Sequence, residues 1–165
     1  MERNPTMTPT KDQQKALASW AADCAEHVLA YFEASRPDDP RPRAAIAACR
    51  EWARTGVFAM AAIRGASLAA HAAARQAAAN GPARFAARAA GQAVATAHVW
   101  SHAPGAAWYG VKAADAAGRV GEREWQYERL PAELRHFVRR LGREKPVLMK
   151  VLRYPFPAEG ARPAV

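Results

Sequence analysis

Residues 17–32 read LASWAADCAEHVLAYF. Leu17, Trp20, Ala21, Cys24, Val28 and Tyr31 recur at the three- and four-residue steps that place side chains on one face of an α-helix. Ala25, Leu29 and Phe32 widen that stripe, which predicts a helix buried on more than one side. Thr10 stands where an N-cap belongs, with the helix starting at Thr10–Lys11. Arg36-Pro37 ends it, because a residue before proline is pushed out of the helical region.

The same logic runs outward along the chain. The linker PDDPRPR at 37–43 leads into a second helix ending near Arg54, with Ile46, Cys49 and Trp52 facing in. Thr55-Gly56 breaks it. A third helix spans about Phe58 to Ala79, with Gly65 as the position inside it where a kink or split could fall. Asn80-Gly81-Pro82 is a turn, and a fourth helix covers about Ala83 to Ser101. Ala103-Pro104-Gly105 separates it from a fifth, Ala106 to Ala117. A sixth starts at Glu122, is interrupted at Leu130-Pro131 and resumes to Leu141. The expectation is one all-α domain over 1–165, a compact bundle of about six helices. Residues 1–10 are expected to be disordered, and 144–165, with Pro146, Pro155, Pro157 and Pro163, to form an extended tail. Alanine, 43 of 165 residues, favours helix and disfavours a sheet. Small side chains also let helices approach closely. Trp20, Trp52, Trp100, Trp108 and Trp125 are expected to wedge into the gaps.

No apolar run is long enough to span a membrane, and the start has no secretory h-region, so a cytoplasmic location is expected. Cys24 and Cys49 fall inside helical patterns and should be buried and reduced. The net charge of +9 fits a basic surface facing an acidic partner or nucleic acid, and equally an ordinary solvated surface. It is unevenly spread. Residues 1–35 are slightly acidic, no Asp or Glu occurs between Glu51 and Asp115, and Arg135, Arg139, Arg140, Arg143, Lys145, Lys150 and Arg153 crowd the C-terminal part. There is no phosphate-cradling Gly-rich motif, no nucleophile elbow and no zinc-finger spacing.

His98 and His102, read as one helix, sit one turn apart, the spacing of a metal-binding pair, and His71 on the preceding helix is a possible third nitrogen. The His-Glu-x-x-His pattern is missing, so inter-helical hydrogen bonding is the favoured reading and no cofactor is expected. Asp23 and His27 are likewise one turn apart, a carboxylate that can orient an imidazole. Arg43, Arg50, Arg54 and Arg75 are candidate partners for Asp23, Glu26 and Glu51. Polar groups beside small, apolar faces are costly to bury unpaired. Asp23, Arg43, Arg50, His71, Arg75, His98 and His102 are therefore the candidate partner-binding residues, expected to converge in one polar cluster, with His98 and His102 lining a shallow groove.

Several segments together resemble a known family: Trp20 to Leu29, Pro37 to Ile46, Arg50-Glu51-Trp52, His71 to Arg75, Ala95 to Val99, His102-Ala103, Tyr109 and Lys112-Ala113. They are similar to the immunity proteins of bacterial polymorphic toxin systems, the immunity-five-like group, over about 15–140. Some members carry the label exonuclease SbcC, which a chain without an ATPase motif does not support. The resemblance implies an all-α, non-enzymatic protein that binds and neutralises a cognate toxin. Its partner surface would be acidic, or the contact would use the acidic first helix. The alternatives are a metal-binding protein or metal-dependent enzyme built on His71, His98 and His102, and a basic nucleic-acid-binding protein.

Overall fold

The computed structural model describes residues 8–157. Residues 1–7 of the expected disordered start and 158–165 of the expected tail, Pro163 included, lie outside the described residues. Within them there are eight α-helices, two short 3₁₀ turns and no strand. The all-α class holds, while the helix number is higher than six.

Helix α1, Lys11–Ser35, opens with a reciprocal cap: Thr10 Oγ1 accepts from the Gln13 backbone N–H, and the Gln13 side chain accepts from the Thr10 N–H. Leu17, Trp20, Ala21, Cys24 and Val28 of its predicted stripe are buried, as are Ala25, Leu29 and Phe32 beside it, while Tyr31 is half-buried. Helix α2, Arg41–Thr55, ends at Gly56, whose φ of +69° is the left-handed conformation glycine tolerates best. Helix α3, Met60–Gln76, runs unbroken through Gly65. Helix α4, Gly81–Ala95, buries Ala83, Ala86, Ala87, Ala89, Ala90, Gly91, Ala93 and Val94, more than one face of a helix. It packs against α1, α2, α3 and α5 and forms the centre of the molecule. A helix whose buried side chains are alanine, glycine and valine fits there because its neighbours can approach it closely.

Helix α4 stops six residues earlier than the periodicity suggests. The Gln14 side-chain amide of α1 takes the carbonyls of Thr96 and Ala97, at 2.8 and 3.3 Å. Val99 is extended, Trp100–His102 form a 3₁₀ turn, and α5, Ala103–Ala116, starts there with Pro104 in its first turn. His98 and His102 therefore do not share one helix face. Proline lacks the N–H that a first helical turn leaves unused, so Pro104 begins α5 instead of preceding it.

Helix α6, Glu122–Arg129, is followed by a 3₁₀ turn at Ala132–Leu134, α7, Arg135–Glu144, and α8, Pro146–Leu152. The tail is thus not extended over 146–152. Pro146 occupies the start of α8, and Leu148, Leu152 and Tyr154 are buried against the bundle, offsetting the cost of ordering the segment. Trp20 and Trp52 are the expected core wedges, whereas Trp100 and Trp108 pack only partly buried. Trp125 stands at the surface instead, covered by His27 and by the Arg129 guanidinium.

Candidate functional site

Helix α3 is packed on one side only. Ile63, Ala70, Ala73 and Ala74 are buried, while Met60, Arg64 and Leu68 face outward. Between this flank and the end of α4 lies a cavity of about 340 Å³, lined by Met60, Ile63, Arg64, Ser67, Leu68, Ala95, His98 and His102. Each wall is fixed by a specific contact. Ser67 Oγ donates to the Gly91 carbonyl at 3.0 Å, holding α3 to α4. His102 Nδ1 donates to Gln92 Oε1 at 2.8 Å, and Gln92 lies against Gly105. His98 is exposed and stacks on Phe58, with ring centroids 6.3 Å apart.

Behind this wall, the His71 ring fills the space over Gly91 and receives an Arg88 guanidinium N–H at Nδ1, 3.2 Å away. An accepting Nδ1 requires an uncharged ring. Burial, followed by the charges of Arg88, Arg75 and His102, pushes the His71 pKa down to about 4. The His102 pKa is lowered as well, first by burial and then by His98 and Lys145. This side of the molecule is electropositive.

Three of the remaining candidates lie elsewhere. Arg50 bridges Asp23, at 2.9 Å, and Glu26, tying α2 to α1. Arg43 pairs with Glu33 and Arg54 with Glu51. Arg75 is exposed on α3 and its charge acts on His71. The seven residues do not form one cluster. Asp23, Arg43 and Arg50 belong to ion pairs between α1 and α2, whereas His71, Arg75, His98 and His102 lie along α3 and the end of α4. The reason is that Asp23 and Glu26 are both satisfied by Arg50 of α2. Nor do the three histidines form a ligand set: among the described residues no three His, Cys, Asp or Glu side chains lie close enough to hold a metal ion.

The Asp23–His27 pairing is replaced by a longer-range one. His27 Nδ1 donates to Glu122 Oε2 at 2.7 Å, with the His27 ring stacked on Trp125 at 3.7 Å. Glu122 is 6% exposed, and burial raises its pKa against the opposing pull of His27. Gln126, fully buried, donates to Glu122 Oε1 and to the Ala107 carbonyl, and accepts from the Tyr154 hydroxyl. The Trp20 indole N–H donates to the Gln126 carbonyl. This network joins α1, α5, α6 and the segment after α8. Its only sequence signal was the Glu122-x-x-x-Gln126 spacing on a short polar helix, which is also what a solvated helix shows. Cys24 and Cys49 are both free and buried, and burial raises both thiols, Cys49 to about 12.

The fold and this surface define an all-α bundle with an open, largely apolar groove bordered by Arg64 and a separate buried polar network. Residues 7–133 match the family described as Imm-5 like putative immunity protein, and the chain belongs to that family. No curated protein and no solved structure matches it. No helix among the described residues is long and apolar enough to cross a membrane.

Proposed function

We propose that the chain is a non-enzymatic immunity protein that acts in the cytoplasm by binding one cognate toxin domain and blocking it. The observation that carries this reading is membership of the immunity family over most of the chain. The architecture suits it. A bundle whose helices are tied by caps and interhelical hydrogen bonds loses little freedom on binding, so more of the contact energy remains as affinity. The apolar flank of α3, with Arg64 on it, supplies the mixed surface from which protein interfaces are built.

The test is co-expression with the toxin domain encoded beside its gene. Growth restored by the wild-type chain, together with a stoichiometric complex of the two purified proteins, is the expected result. A toxin that stays active in the presence of excess chain overturns the reading.

A further inference from the structure

Seven large apolar side chains stand exposed among the described residues, and five of them, Val57, Phe58, Met60, Leu68 and Val99, lie on the α2–α3 link, the outer face of α3 and the link after α4. They are close in space as well as in sequence. Phe58 stacks on His98, Met60 and Leu68 line the cavity that His98 and His102 close, and Ile63 lines both this cavity and a smaller one beside Val57. Single exposed apolar residues are ordinary, but a grouped patch with a polar rim marks an interaction surface. At the middle of the outer α3 face, Gly65 has open space around the position of a would-be Cβ, so another backbone can come close. Trp52, 1% exposed, also lines the smaller cavity.

Among the described residues, the lining of the larger cavity carries one cation, Arg64, and no carboxylate. Glu51, which borders the smaller cavity, is engaged by Arg54. The geometry points to the α3 flank as the toxin-binding face, and to an acidic amphipathic segment as its occupant: aliphatic side chains entering between Met60, Leu68 and His98, with carboxylates against Arg64. The inference rests on the proposed immunity role for the identity of the partner, but not for the chemistry of the groove. A nucleic acid satisfies the arginines yet leaves Phe58, Met60 and Leu68 facing phosphates. A segment with both characters satisfies both halves of the surface.

The experiment has two arms. In the first, the toxin domain is titrated with wild-type chain and with the Leu68→Asp and Arg64→Glu variants. Both side chains are exposed, so the fold tolerates the changes, as thermal melting verifies. Binding should weaken roughly tenfold or more in each. Unchanged affinity in both overturns the groove while leaving the immunity role intact, whereas a wild-type chain that ignores the toxin removes that role alone. In the second arm, the isotope-labelled full chain is titrated with a synthetic helical peptide carrying Leu on one face and Glu on its flanks. A Lys-for-Glu counterpart and a single-stranded oligonucleotide are titrated alongside. Amide signals of Met60, Ser67, Leu68 and His98 should move with the Glu peptide and be restored by salt, and should stay still with the Lys peptide. No movement with the Glu peptide, equal movement with the Lys peptide, or a stronger response to the oligonucleotide overturns the proposal.

Discussion

The Nε2 edge of His71 rests against Gly91, so close that a Cβ at position 91 would lie 2.7 Å from Nε2 and 2.8 Å from Cε1. This contact sets how near α3 comes to α4, and through Ser67 it sets where the outer flank of α3 stands. Gly91→Ala must push the imidazole away from Arg88, and the expected cost is about 1–3 kcal/mol. Urea unfolding of Gly91→Ala, His71→Ala and the double variant checks it. In the double variant the two losses should fall short of additive, because the second change relieves the clash made by the first.

His71 also predicts a pH dependence. Its folded-state pKa, about 4, lies below the ordinary value of 6.5. Between these values the unfolded chain binds the proton more readily, so stability from this group is present above pH 6.5 and declines as pH falls toward 4. In His71→Gln, whose side-chain oxygen can still accept from Arg88, the fall in melting temperature over that window should be smaller. An identical slope in both proteins would show that other groups carry it.

Tyr154 should report on the docking of the C-terminal helix. Its hydroxyl donates to the buried Gln126 Oε1. Tyr154→Phe leaves that acceptor without its donor, at an expected cost of about 1–3 kcal/mol with little change in the urea m-value.

Arg50 should matter far less to stability. Its side chain is 38% exposed and its partners Asp23 and Glu26 are 43% and 48% exposed. Water replaces the pairs when the guanidinium is removed, so Arg50→Met should change the unfolding free energy by about 1 kcal/mol or less.

His98 and His102 should separate structure from binding. His102→Ala gives up the Gln92 hydrogen bond and should cost roughly 0.5–1.5 kcal/mol, whereas His98→Ala, at an exposed ring, should leave melting nearly unchanged. Both should weaken toxin binding if the α3 flank is the contact face. Intact binding in both would confine them to a structural role.

Periodicity and capping are local properties of the chain, and they made much of this protein legible. Thr10, the stripe from Leu17 to Phe32 and Gly56 announce helices and their ends, because propensity and steric preference act over a few residues, whereas Gly81 and Pro82, read as a turn, open α4 with Asn80 as its cap. The alanine content of 83–93 announces a helix able to sit among others. The family segments were legible too, as a resemblance spread along the chain. The end of α4 was not. Gln14, 82 residues away in sequence, decides it by taking carbonyls that a longer helix would have used internally. For the same reason His98 and His102, which are regular on a helical wheel, meet at a corner instead. The pairing of His27 with Glu122, 95 residues apart, and of Tyr154 with Gln126 depends on which helices the packed core brings side by side. A side chain's type states what partner it needs, and only the tertiary arrangement determines which partner lies within reach.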